Sequence, residues 1–114
     1  MAMEQRYDEQ QPAREDIDSL DGPVVLDFGT NWCGYCQASR GPVEEALADF
    51  PQVRHVMVED GRGRPLGRSF GVKLWPTLVF LRDGQEVARL VRPTDPGAVR
   101  TALAGLGAGS ASTD

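Results

Sequence analysis

Apolar residues along this chain recur with two different periods. Val24 to Phe28 is a nearly continuous apolar run with two β-branched residues, the pattern of a strand covered on both faces, and Asp27 interrupts it. Further on, Val43, Ala46, Leu47 and Phe50 fall at i, i+3, i+4 and i+7, which predicts a helix over Cys36 to Phe50. Gly41-Pro42 should kink its early turns, and Pro51 closes it. Val53 to Glu59 reads as the next strand, Asp60 to Pro65 as a Gly-rich turn, and Leu66 to Phe70 as a short helix ended by Gly71. Thr77 to Leu81 and Glu86 to Val91 are strands joined by Arg82-Asp83-Gly84-Gln85, whose Asp-Gly pair favours a tight hairpin. Asp95 is placed to cap a final helix with Pro96 at its first position. Val99, Ala102, Leu103 and Leu106 form that helix's stripe, and Gly107 ends it. Upstream, Pro12 to Leu20 predicts a short helix with Ile17 and Leu20 on one face, stopped by Asp21-Gly22-Pro23.

This order gives an α/β fold. A strand–helix–strand crossover should be right-handed and make a parallel pair. The closing hairpin adds antiparallel strands, so the sheet is mixed, with helices on both faces. At 114 residues the chain is one domain, expected over residues 12–106. Residues 1–11 are polar and aperiodic, and 107–114 are small and polar, so both ends read as disordered.

Charge and cysteine usage narrow the function classes. The net charge is −5, and the cations are scattered arginines plus the single Lys73, which disfavours a nucleic-acid partner. No apolar stretch approaches the roughly 20 residues of a membrane span. The first twenty residues lack the apolar core of a secretory signal, so a cytoplasmic protein is expected. Both cysteines lie in one C-x-x-C, which leaves no structural disulfide framework.

That pair is the candidate chemistry. Disulfide exchange needs a thiolate, and a cysteine at a helix start receives unpaired N–H groups and the positive end of the helix dipole. Two intervening residues, Gly34 and Tyr35, put Cys36 about one turn further on, where its sulfur can reach Cys33. Cys33 therefore attacks and Cys36 resolves. A buried carboxylate without a charge partner favours its neutral form and can exchange protons near neutral pH. Asp27, on the strand feeding this turn, is placed to sit beneath the cysteines and help deprotonate Cys36. The other reading of Asp27 is a strand-end residue bonded to a turn. Pro76 opens a strand after Trp75; a cis bond there would leave the backbone around Trp75 free to pair with an extended substrate.

Val25-Leu26-Asp27-Phe28, Trp32-Cys33-Gly34-Tyr35-Cys36, Pro42, Trp75-Pro76-Thr77-Leu78-Val79-Phe80 and Asp83-Gly84 together resemble the thioredoxin family, over roughly residues 20–106. The resemblance implies a thioredoxin fold with a four- or five-stranded mixed sheet and a cis Pro76 beside the cysteines. It implies Cys33 as nucleophile, Cys36 as resolving thiol and Asp27 as buried acid. It also implies protein-disulfide substrates, a thioredoxin-reductase-type electron donor, no cofactor and a monomer. The surface around the site is expected from Trp32, Gly34, Tyr35, Trp75, Pro76 and Arg92.

Several positions leave the family pattern. Tyr35 stands where thioredoxins proper usually carry proline, which should make the pair more oxidising. Gly29 stands in place of a tryptophan, Met57 in place of a lysine, Trp75 in place of a small or β-branched residue, and Arg92 in place of a glycine. The usual first strand is hard to find in residues 1–12. These changes keep open an alternative: a partner-binding module on the Trp32–Trp75–Arg92 surface, with redox chemistry secondary. A zinc site is disfavoured, because only His55 and carboxylates could complete it. His55 alternates with Val56 and reads as a surface residue. Gly61-Arg62-Gly63-Arg64 lacks the Gly-Lys-Ser/Thr signature of a phosphate loop and reads as a flexible turn.

Overall fold

The computed structural model describes Tyr7, Asp8 and residues 12–107. Among these, eight elements follow in order: α1 (Arg14–Asp18), β1 (Pro23–Gly29), α2 (Gly34–Leu47), β2 (Arg54–Glu59), α3 (Pro65–Ser69), β3 (Thr77–Arg82), β4 (Gln85–Val91) and α4 (Pro96–Gly105). The strands form one mixed sheet in the order β2-β1-β3-β4. β1 pairs parallel with β2 and antiparallel with β3, which pairs antiparallel with β4.

Period-2 alternation divides the core between the two faces of this sheet. Val25 of β1 with Leu78 and Phe80 of β3 packs on Val43 and Ala46 of α2 and on Val99 and Leu103 of α4. Val24, Leu26 and Phe28 with Val79 and Leu81 pack on Ile17 of α1 and on Leu66 and Phe70 near α3. Each buried Leu, Val or Phe contributes about 1.5–3 kcal/mol of transfer free energy, so both central strands are fixed in register by their own sequences. Asp27 and Gly29 share the parity of Val25, which turns position 27 toward α2.

Two helices differ in their bounds from the sequence reading. α1 is only the five residues Arg14–Asp18, with Ala13 at its N-cap and no side-chain cap bond. α2 begins at Gly34 and runs through Pro42 as one helix to Leu47. Proline there leaves a carbonyl one turn earlier without its helical N–H, a cost that packing on the sheet offsets. At the other end, Asp95 caps α4 as expected, accepting from the Gly97 amide.

The N-terminal stretch departs furthest from expectation. Tyr7 is buried, and Asp8 makes a single parallel bridge to Val58 on the free edge of β2. The Asp8 N–H donates to the Met57 carbonyl at 3.0 Å and the Glu59 N–H donates to the Asp8 carbonyl at 3.0 Å. Disorder expected for the rest of residues 1–11, and for 108–114, falls outside the described residues. Among the described residues, no helix is long and apolar enough to cross a membrane.

Candidate active site

Cys33 is the N-cap of α2. Its backbone is extended (φ −83°, ψ 125°), and its sulfur accepts the Cys36 N–H at 3.3 Å. A sulfur in that position satisfies one of the helix's orphan donors. Both cysteines are free thiols; Cys33 is 8% exposed and Cys36 2%, so an incoming disulfide meets Cys33 first. Burial pushes the Cys36 thiol up to about 12, the hydrogen bond with Cys33 adds to this, and bonds from Thr30 and Tyr7 draw it partly back. In the dithiol state Cys36 therefore keeps its proton.

Asp27 lies behind this pair and is 4% exposed. Both of its oxygens are occupied: Tyr7 Oη donates to Oδ1 at 2.7 Å, and His55 Nε2 lies 2.9 Å from Oδ2. The carboxylate is thus neither partnerless nor bonded to a turn. A buried carboxylate holding two hydrogen bonds is far less costly than a bare one. His55 is corrected as well: its side chain is 13% exposed and faces inward toward Asp27. Alternation with Val56 signalled two faces, but helices cover both, so neither face of β2 is simply solvent.

Tyr7 reaches the site because the chain before the bridge at Asp8 is held on both backbone groups. Asn31 Oδ1 accepts the Tyr7 N–H at 2.9 Å, and Asn31 Nδ2 donates to the Tyr7 carbonyl at 3.3 Å. Gly29 makes the space. A Cβ there would stand 2.5 Å from Cys36 Sγ and 2.8 Å from both Cζ and the hydroxyl of Tyr7. The tyrosine ring and the resolving sulfur converge where a larger residue would have been.

The outer wall carries the aromatic residues. Trp32 is 72% exposed and meets Trp75 edge-on, ring centroids 5.7 Å apart. Trp75 Nε1 donates to buried Asp60 at 2.9 Å, and the Asp60 carboxylate lies directly against Gly67 of α3. The Trp75–Pro76 peptide is cis. Arg92, at φ 54°, donates its N–H to the Pro76 carbonyl and its Nε to the Trp75 carbonyl, both at 2.8 Å. Its guanidinium lies 3.8 Å over the Tyr35 ring. The Trp75 carbonyl, expected to be free for a substrate, is therefore taken by Arg92. Gly34 faces open space.

Cys33, Cys36, Asp27, Trp32, Tyr35, Trp75, Pro76 and Arg92 thus gather at one end of the sheet. Sequence reasoning missed Tyr7, His55 and Asp60. Tyr7 carried one signal, as the only aromatic residue before Phe28; Gly29, closing a run of bulky strand residues just before the cysteines, carried the matching one. Among the described residues, no group of three or more His, Cys, Asp or Glu converges as a metal cluster would.

Comparison with known proteins agrees with this arrangement. Thioredoxin 2 from Pseudomonas aeruginosa PAO1, solved in its reduced form, is 53% identical with a TM-score of 0.83, covering 92% of this chain and 98% of that one. A thioredoxin of Chlamydia muridarum is 38% identical over 71 residues, 61% of this chain and 69% of its own. Thioredoxin Asp f 28 of Aspergillus fumigatus is 34% identical over 70 residues, 61% of this chain and 65% of its own, so the match spans just under two thirds of that relative. The family model described as Thioredoxin matches residues 6–104, which takes in Tyr7 as well as both cysteines, and the chain belongs to the thioredoxin family.

Proposed function

We propose that the protein is a thiol–disulfide oxidoreductase acting on protein disulfides. The observation that carries this is the N-cap sulfur: Cys33 accepts the Cys36 N–H at the start of α2, with the protonated Cys36 thiol one turn behind it. Cys33 attacks a substrate disulfide as the thiolate and forms a mixed disulfide. Cys36 then loses its proton and attacks Cys33 Sγ, which releases the substrate as a dithiol and leaves Cys33–Cys36 oxidised. Asp27 is the acid–base group that takes the Cys36 proton.

The substrate lies across Trp32, Gly34, Tyr35, Trp75, Pro76 and Arg92. Since Arg92 already occupies the Trp75 carbonyl, substrate pairing there requires the guanidinium to move or to bind the substrate itself. A thioredoxin-reductase-type donor returns the pair to the dithiol, and the protein works as a cytoplasmic monomer. A partner-binding module with redox chemistry secondary is not favoured, since the family match spans both cysteines and both are free thiols.

Turnover of a protein disulfide with dithiothreitol, comparing the native chain with Cys33→Ser, tests this reading. The native chain should accelerate reduction well above background and the variant should not. Equal rates with and without the native protein would sink it.

A further inference from the structure

We propose that the Tyr7 hydroxyl is the proton conduit of the resolving step, passing the Cys36 proton to Asp27. This rests on the dithiol–disulfide reading above and adds to it a catalytic residue from the N-terminal segment.

Three observations meet at Tyr7. Tyr7 Oη donates to Asp27 Oδ1 at 2.7 Å. The same hydroxyl and Cys36 Sγ flank the point where a Gly29 Cβ would stand, 2.8 and 2.5 Å from it. Tyr7 and Cys36 also pack together in one buried cluster with Cys33. One group is therefore bonded to the carboxylate that can take a proton and packed beside the thiol that must lose one. A hydroxyl has one rotatable donor and two acceptor lone pairs, so it can accept one proton while giving up another. Burial, reinforced by the nearby Asp27 charge, pushes the Tyr7 phenol far above its ordinary range, so it never carries the charge itself. Transfer through it is concerted.

The surroundings fit this role. His55 Nε2 of β2 engages Asp27 Oδ2, which leaves Oδ1 to Tyr7. A cavity of about 10 Å³ lies beneath Cys36, and besides Tyr7, Asp27 and His55 its charged lining groups are Arg40 and Glu44 of α2. That is room for about one water molecule. The hydroxyl is already in place beside Cys36 and bonded to Asp27 Oδ1.

The step balances without an added reagent. In the mixed disulfide, Cys33 is bonded to a substrate sulfur. The Cys36 S–H proton moves to Tyr7 Oη as the Tyr7 proton moves to Asp27 Oδ1. The Cys36 sulfur attacks Cys33 Sγ, the bond from Cys33 to the substrate breaks, and its electron pair leaves as the substrate thiolate. The Cys33–Cys36 pair is oxidised and the substrate disulfide is reduced. Neutral Asp27 gives up its proton before the next turnover.

Stopped-flow reaction of the reduced protein with dithiobis-nitrobenzoate separates the two steps. The first coloured thiolate reports Cys33 attack, and the second reports resolution by Cys36. Tyr7→Phe keeps the ring that packs on Gly29 and removes only the oxygen. It should leave the first step within about twofold and slow the second by about tenfold or more, with the gap narrowing as hydroxide takes over at higher pH. Resolution at the native rate, or an equal fall in both steps, overturns the conduit. If the native chain releases no thiolate, the oxidoreductase reading itself fails; native turnover with an unaffected variant fails the conduit alone. Should Tyr7→Phe not fold, the native resolving rate is measured across mixtures of light and heavy water. A bowed dependence means two protons in flight and supports the conduit, and a straight line overturns it.

Discussion

Tyr7 and Gly29 share one volume: a Cβ on Gly29 would lie 2.8 Å from Tyr7 Cζ and 2.8 Å from its hydroxyl. Position 29 departs from the thioredoxin pattern because a residue from far upstream fills the space. Gly29→Ala must displace the ring, the Cys36 sulfur or the strand, and overpacking of this kind costs about 1–3 kcal/mol. Urea unfolding of the reduced protein should show that loss. In a Tyr7→Leu background the same substitution should cost less by about 1 kcal/mol, the coupling expected of residues in contact. Equal costs in both backgrounds would mean the two positions are independent.

Asp27→Asn separates proton transfer from hydrogen bonding. The amide can still accept from Tyr7 Oη, and its N–H₂ can donate to a neutral His55 Nε2, so the buried network survives. The proton acceptor does not. Release of a bound substrate from the Cys33 mixed disulfide should slow by about 10–100-fold, while iodoacetamide alkylation of Cys33 stays unchanged. A variant that resolves as fast as the native chain would remove Asp27 from the mechanism.

Much of this was legible along the chain, and the residues that were not share a cause. The two central strands announced themselves because both faces are buried, leaving runs such as Leu78-Val79-Phe80-Leu81 with no polar break. The hairpin and the cap of α4 were legible because Asp83-Gly84 and Asp95-Pro96 act within a few residues of themselves. Cys33 and Cys36 were legible for the same reason: their chemistry depends on spacing along one helix turn.

Tyr7 and His55 act across distance. Beyond its being the only aromatic residue before Phe28, nothing local to Tyr7 marks its role, since its backbone is held by Asn31, 24 positions away, and its hydroxyl by Asp27, 20 positions away. His55 misled because alternation along a strand reports which residues share a face and is silent on what covers that face. The carboxylate's partners and the tryptophan's acceptor Asp60 are all contacts of this long-range kind.

Arg92→Gly tests whether the arginine closes the substrate groove. A non-glycine residue at φ 54° carries a conformational cost of about 1 kcal/mol or more, which glycine relieves. The lost bond to the Trp75 carbonyl costs a similar amount, about 1 kcal/mol, so global stability should change little. The effect should fall on recognition: with the Trp75 carbonyl released, KM for unrelated protein disulfides should drop. Alkylation of Cys33 by a small reagent should stay the same. An unchanged KM would leave Arg92 a purely structural residue.

The reduced protein should lose stability on the alkaline side, and the sign follows from Cys36. Its thiol is raised from an ordinary 9.0 to about 12 in the folded chain, first by burial and then by Cys33. The folded state therefore binds this proton more tightly than the unfolded state does. Below the ordinary value both states are protonated and the full contribution is present. Between the two values the unfolded chain releases its proton first, and stability falls by about 1.4 kcal/mol per pH unit. Tyr7 acts in the same direction, beginning at its ordinary value of 10.0. Urea midpoints of the reduced protein should decline steadily from about pH 9 upward, and Cys36→Ala should flatten the first part of the decline. Tyr7→Phe should flatten the later part. A midpoint independent of pH across that window would show that neither group holds its proton more tightly in the folded chain.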